Sequence, residues 1–290
     1  MNADATPRLS TGRILRFWWP LAGTWLLMAV EGVFLAAVLA RLDAPRENLA
    51  AYGVAFAIAI IVESPVIMLM SASTALVRDA QAYRALWTFT RRLNLAITAI
   101  MLLMVVPGVW RFASNALGLD PEVASLVYGA LWWLLPWPAA IGDRRFHQGL
   151  LIRGQRTGSV AAATVVRLVA MTGTAGLAAW IGGLPGASVG GMALSVGVVS
   201  EMLAVRWMAR PVLGPLRQQA AALGPEVPEN LTQPAIARFY APLALTSLLA
   251  LATQPVITFF MGQATRPLDS LAVLPVLHGI TFLFRALALS

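Results

Sequence analysis

Three observations predict an all-α, polytopic membrane protein. The 290 residues are 59% hydrophobic and only 12% charged, with a mean hydropathy of +0.74. Apolar segments of about 20 residues, the length that crosses a ~30 Å hydrocarbon layer, follow one another with short connections. Residues 14–63 also align without a gap onto residues 236–285. This composition excludes a soluble protein, and the absence of cysteine excludes disulfides, thiol catalysis and cysteine-ligated metals.

The apolar segments predict eight membrane spans, separated by short loops that contain Pro, Gly or charge. The spans are 17–40, 49–76, 93–110, 124–142, 159–181, 187–208, 239–261 and 271–290. The longest connection, 209–235, is polar and rich in Pro and Gly, which is typical of a linker. The N-terminal segment has no cleavage site before the first span, so no removable signal peptide is predicted.

Arginine sets the orientation of these spans, because the chain contains no lysine. With a cytoplasmic N-terminus, fifteen arginines fall in inner segments and four in outer loops. The positive-inside rule therefore places the N-terminus, 77–92, 143–157 and 209–235 in the cytoplasm of a multi-pass cell-membrane protein, the inner membrane if the source is a Gram-negative bacterium. The same bias explains the net charge of +8 without a nucleic-acid partner.

The internal repeat pairs the first two spans with the last two at an offset of 222. "ILRFWWPLAGTWLL" (14–27) returns as "IARFYAPLALTSLL" (236–249). Six spans separate the two starts, so both copies enter from the same side and the repeats are parallel. We therefore expect a first six-helix repeat at 1–208, a cytoplasmic linker at 209–235, and the first two helices of a second repeat at 236–290. About eight of twelve spans would then be present, in a fragment or truncated product.

Three segments resemble the MATE-like transporters of the multidrug/oligosaccharidyl-lipid/polysaccharide exporter superfamily, and within it the progressive ankylosis protein branch. They are the paired starts "RFWWPLAGTWL" and "RFYAPLALTSLLALATQ", "AAYGVAFAI" (50–58), and "HQGLLIRGQRT" (147–157). The resemblance implies six plus six helices that form a V-shaped, alternating-access exporter. It leaves the substrate open, since members move drugs, lipid-linked glycans or organic and phosphate-type anions.

Charged residues within the spans are the functional candidates, because a charge at mid-bilayer costs about 2.5 kcal/mol or more. Glu31 and Glu63 lie about halfway along spans one and two, and Pro65 is expected to kink span two so that the freed carbonyls face a cavity. Arg285 of span eight is the repeat counterpart of Glu63, and we expect the two to face one central cavity. The resemblance adds support for Glu31, since some MATE-like proteins carry an essential acid in span one.

For several of these charged residues, a purely structural role is an alternative to substrate or ion binding. Arg167, in span five, is a candidate for substrate or ion binding that can also extend to the cytoplasmic interface. Glu201 can instead pair with an inner-face arginine such as Arg206, and His278 can be a packed helix residue. Glu31 and Glu63 can form ion pairs with Arg285 or Arg167 that only hold helices together.

The sequence favours a secondary transporter over an enzyme or a structural membrane protein. Asp143 and His147 are one helical turn apart, but no third metal ligand is evident, so we expect neither catalytic residues nor a metal site. The deep arginines favour an organic or phosphate-type anion, and the deep glutamates favour H⁺ or Na⁺ coupling. A lipid-linked glycan flippase and cationic multidrug efflux are alternatives. No cofactor is expected, and the expected form is a monomer in the lipid bilayer.

Overall fold

The computed structural model describes residues 11–223 and 231–286, without the side chains of Arg13, Ile14 and Arg285. Within these ranges the chain is helical and contains no strand. The helices are α1 Thr11–Leu39, α2 Pro45–Glu63, α3 Leu69–Leu76, α4 Ala80–Met104, α5 Pro107–Ala116, α6 Pro121–Leu134, α7 Trp137–Arg153, α8 Thr157–Ile181, α9 Gly186–Met208, α10 Arg210–Ala222, α11 Gln233–Gly262 and α12 Pro267–Ala286.

In the described ranges, seven helical segments are long and apolar enough to cross a membrane, or eight if the bent pair α4–α5 is one span. Span two comprises α2, a 3₁₀ turn at Ser64–Val66, and α3, and span four comprises α6 and α7. The axes of α4 and α5 differ by 76°. The protein is therefore a polytopic helical membrane protein, as predicted.

Two of the predicted spans differ from the helices that contain them. Span four belongs to a helical segment at 121–153 that is longer than the predicted 124–142, so 143–153 is a helix packed within the bundle and not a loop. Span three, predicted at 93–110, is divided between α4 and α5, because Pro107 begins a new helix at the bend. The predicted linker 209–235 also contains a helix, α10, whose Arg217 donates a hydrogen bond to the hydroxyl of Tyr83 (3.2 Å).

Span two is broken at Pro65, as the sequence predicts. Proline has no N–H for the carbonyl of Ile61, and the hydroxyl of Ser64 donates to that carbonyl instead (2.8 Å). Two further carbonyls at the break, those of Ser64 and Pro65, are bonded to α11 and do not face an open cavity, which corrects the expectation. Ser247 of α11 donates to the Ser64 carbonyl (2.7 Å), and Tyr240 donates to the Pro65 carbonyl (2.5 Å). The seventh span therefore holds the break in the second.

The two copies of the repeat have matching helix limits. Pro45 begins α2 and Pro267 begins α12, which is the offset of 222. Helix α12 packs between α1 and α2. Gly53 and Pro275 are also 222 apart, and they meet: a Cβ on Gly53 would lie 2.8 Å from the Pro275 ring. If a rotation axis relates the two copies, equivalent residues that touch each other must lie close to that axis. The contact between Gly53 and Pro275 would therefore place the axis between α2 and α12.

Candidate functional site

The first six spans bring three of the predicted residues together in the bundle interior. Glu31 of α1, Arg167 of α8 and Glu201 of α9 are 3%, 6% and 0% exposed. One Arg167 nitrogen lies 2.6 Å from a Glu31 oxygen, and another lies 3.6 Å from a Glu201 oxygen. Arg167 therefore bridges two carboxylates inside the bundle and does not extend to the interface.

Arg144 completes the environment of Glu201. It lies on α7, is 1% exposed, and its guanidinium forms an ion pair with Glu201. The predicted alternative partner, Arg206, is instead 43% exposed at the side chain and lies 3.7 Å from Asp143. Glu201 therefore pairs with an arginine that the sequence assigns to an inner segment, but this arginine is Arg144 and not the example Arg206, because α7 continues as a helix through 143–153.

Glu201 has a full set of donors. One carboxylate oxygen accepts hydrogen bonds from Gln148 and from the hydroxyl of Thr164, both at 3.1 Å. The other oxygen faces Arg144 and Arg167. A buried carboxylate with donors on both oxygens is stabilised as the anion, so Glu201 is the fixed centre that joins α7, α8 and α9.

Arg145 is a buried cation that has no anionic partner among the described residues. It is 7% exposed, and within the described ranges no carboxylate lies within ion-pair distance of it. Its polar contacts are the Met70 sulfur at 3.8 Å and the ring of Trp25, whose centroid is 6.0 Å from the guanidinium carbon. Neither contact supplies a negative charge, so this guanidinium is available to an anion.

Glu63 is the opposite case. It ends α2 beside the helix break and is 6% exposed, and one carboxylate oxygen is fully buried without a hydrogen-bond partner among the described residues. Arg144, Arg145 and Arg167 are near enough to act on it electrostatically, but none of them forms an ion pair with it. A carboxylate in this setting is available to a proton or a small cation.

These six residues form what we call the charge cluster: Glu31, Glu63, Arg144, Arg145, Arg167 and Glu201. Three acids and three bases balance to zero net charge when all are ionised. The degree of pairing among the described residues is graded: Glu201 is saturated, Glu31 has one paired oxygen and one unpaired oxygen, and Glu63 has no described partner. Neutrality makes the cluster tolerable in a bilayer, whereas the uneven pairing leaves particular groups for other ions.

Asp143 and His147 lie at the edge of the cluster. The buried His147 places Nδ1 3.0 Å from the Asp143 carboxylate and 2.8 Å from its backbone carbonyl. In the part of the chain that the structure describes, no group of three acidic, histidine or cysteine side chains is suitably placed to hold a metal ion.

The two remaining candidates lie on α12. His278 is half-buried there. The side chain of Arg285 lies outside the described part of the structure, so the expected pairing with Glu63 stays a prediction.

Arg144 and Arg145 are the members of the charge cluster that the sequence reasoning missed, because it assigned them to the loop 143–157. One signal could have found them. From Trp137 to Arg153 only the first turn contains a proline, so the helix can continue and place Arg144 and Gln148 on one face. Without Arg144 and Arg145, thirteen arginines remain in the predicted inner segments against four in the outer loops. The predicted orientation, with a cytoplasmic N-terminus, is therefore unchanged.

Comparisons of the chain with models of known protein families, with curated proteins and with solved structures gave no match. The resemblance to MATE-like transporters therefore rests on the segments quoted above.

Proposed function

We propose that this protein is a secondary transporter that moves an organic or phosphate-type anion by alternating access, with H⁺ or Na⁺ coupled through buried carboxylates. The observation that carries the proposal is the uneven pairing within a charge cluster built from several spans. Arg145 has no anionic partner and Glu63 has no cationic one among the described residues, although both are more than nine-tenths buried.

A purely structural network is the main alternative, and Glu201 fits that role. The rest of the cluster does not, because a network that only joins helices gains most when every buried polar group is satisfied. An unpaired buried charge costs several kcal/mol of stability. Retaining one such charge of each sign within the cluster is explained if each group binds an ion during a working cycle.

The chemistry of the unpaired groups sets the proposed roles. The Arg145 guanidinium can bind a carboxylate or phosphate group with two parallel hydrogen bonds. Glu63, and the free oxygen of Glu31, can take up H⁺ or Na⁺. Because the empty cluster is neutral, a cation on Glu63 leaves one excess positive charge, which favours an anion on Arg145. Anion and cation binding are therefore expected to strengthen each other.

The broken second span supplies a candidate moving part. The break lies directly after Glu63, and the hydroxyls of Tyr240 and Ser247 on α11 bond to its carbonyls. Binding of H⁺ or Na⁺ at Glu63 would affect the helix break next to it, and so the contact between span two and α11. The MATE-like resemblance implies export, whereas an anion and a cation that bind together move in one direction, so an inward cation gradient would drive uptake; the transport experiment distinguishes the two directions.

The experiment is transport by the full-length protein in proteoliposomes, with a panel of radiolabelled phosphate-type and organic anions, cationic dyes and lipid-linked sugars. We expect saturable, gradient-dependent movement of an anion. Movement of dyes alone would support cationic efflux, and movement of lipid-linked sugars alone would support a flippase. No movement of any of these in a folded protein would favour the structural alternative.

The proposed orientation, with a cytoplasmic N-terminus, has its own test. Ala44 is exposed in the loop between α1 and α2, and Gln218 is exposed on α10. Because the chain has no cysteine, Ala44→Cys and Gln218→Cys report cleanly. An impermeant maleimide added outside whole cells should label the first variant and not the second. The reverse pattern would invert the topology.

A further inference from the structure

Apart from the charge cluster, the described surface has a depression of about 500 Å³ at the predicted cytoplasmic ends of spans five and six. Arg156 and Ser159, at the start of α8, form one side. Trp207, at the end of α9, and Arg210, at the start of α10, form the other. The volume is in the range of small-molecule sites.

The polar lining is positively charged. Arg156 and Arg210 are both exposed, and no carboxylate of a described residue pairs with either. The N-terminal end of α8 adds to this potential, since no side chain caps it. No acidic residue is among the described residues of the lining. The charge therefore fits an anion with at least one phosphate group.

The apolar lining distinguishes a lipid from a free anion. Met208, Pro211 and Ala162 form the non-polar surface of the depression. Trp207 is 62% exposed beside them, as is typical of a tryptophan at the boundary between headgroups and acyl chains. A free phosphate would use the arginines only, whereas a phospholipid would use the arginines, the tryptophan and the apolar surface.

We infer that this depression binds the headgroup of an anionic phospholipid from the adjoining leaflet, with its phosphate between Arg156 and Arg210. Basic recesses at the cytoplasmic ends of transmembrane helices are suited to such headgroups. The site is separate from the charge cluster. It joins α8 and α9, which carry Arg167 and Glu201, to α10, the helix that leads towards the second repeat.

The test is native mass spectrometry of the delipidated full-length protein, titrated with phosphatidylglycerol or phosphatidylcholine in detergent. We expect tighter binding of phosphatidylglycerol. The double variant Arg156→Gln, Arg210→Gln should weaken it about twenty-fivefold, given about a fivefold effect for each arginine near an anionic headgroup. Each single variant should lose about fivefold, which keeps the test valid if the double variant does not fold.

Arg91→Gln, Arg92→Gln is the matched control, because it removes two exposed charges from α4 on the same predicted side but outside the depression. It should retain phosphatidylglycerol. An equal loss of phosphatidylglycerol affinity in this control would mean that the lipid responds only to the overall positive surface charge, and would overturn the inference. Displacement of the lipid by inorganic phosphate at equal concentration would also overturn it, in favour of a free-anion site. Anion transport in phosphatidylcholine vesicles should be unchanged in the double variant, so this test is independent of the proposed function.

Discussion

Spans one and seven are two copies of the same segment, yet only the first carries a charged side chain at the middle of the span. Helix α1 packs against α8 and α12, and its Glu31 is buried beside Arg167. On α11 the position equivalent to Glu31 is the uncharged Thr253. The copies share their helix limits and their entry sequence. The repeat thus determines the geometry of the helices, whereas the chemistry depends on residues that differ between the copies.

The largest effect should come from removing the charge that distinguishes the copies. Glu31→Gln is expected to abolish gradient-driven transport, because it removes a carboxylate available for ion coupling. The fold should survive, since Arg167 still faces Glu201. The measurement is uptake by proteoliposomes with and without an imposed H⁺ or Na⁺ gradient.

Thr253→Val is the matched control on α11, and it should transport normally. If Glu31→Gln keeps full gradient-driven activity, Glu31 has no part in coupling. If Thr253→Val is inactive as well, the proposed functional difference between the copies is wrong.

The second effect concerns stability at the saturated centre of the cluster. Glu201→Gln leaves Arg144 without its carboxylate and should lower the free energy of unfolding by about 3–5 kcal/mol. The double variant Arg144→Gln, Glu201→Gln should lose less than the sum of the single losses, because no unpaired buried guanidinium remains at that position. Thermal or denaturant unfolding in detergent measures all three variants. Strictly additive losses would mean that the pair does not interact.

The contact between equivalent positions of the two copies gives a smaller effect. A Cβ at Gly53 would lie 2.8 Å from the Pro275 ring, whereas one at Gly173 would meet nothing within 4 Å. Gly53→Ala should therefore cost about 1–3 kcal/mol, and Gly173→Ala should cost nothing. Adding Pro275→Ala should relieve the clash and recover part of the loss. Equal melting temperatures for the two glycine variants would argue against close packing of α2 on α12.

The smallest effect is expected at the break in span two. Ser247→Ala removes the hydroxyl that bonds to the Ser64 carbonyl and should cost about 1 kcal/mol. Thr246→Ala, next to it, removes only a hydrogen bond within the exposed face of α11, to the Pro242 carbonyl. It should have less effect on the melting temperature. A larger loss at Thr246 would mean that α11 does not stabilise the break.

Local patterns predicted most of the spans and part of the site. Hydropathy located the membrane helices, and Pro65 predicted the break, because both depend on neighbouring residues. The cost of a buried charge identified Glu31, Glu63, Arg167 and Glu201, all of which are buried. Partners could not be predicted in the same way, since they depend on how the helices pack.

The missed arginines illustrate this limit. Arg144 and Arg145 follow an acid at the end of an apolar run, so hydropathy assigns them to a loop. Only the packing of α7 against α3 and α9 shows that both are buried. Likewise, the sequence offered Arg206 as a neighbour of Glu201, whereas the helical continuation of span four placed Arg144 there instead.

The central claim is that the charge cluster binds an anion at Arg145, which has no carboxylate partner in the part of the chain that the structure describes. Its most direct test is the current evoked by a rapid concentration step of phosphate-type or organic anion on proteoliposomes adsorbed to a solid-supported membrane. Arg145→Gln is compared with Arg111→Gln, which removes an exposed arginine on the predicted outer side. We predict anion-evoked currents in the unmodified protein and in Arg111→Gln, and none in a folded Arg145→Gln. Undiminished currents in Arg145→Gln would contradict the account.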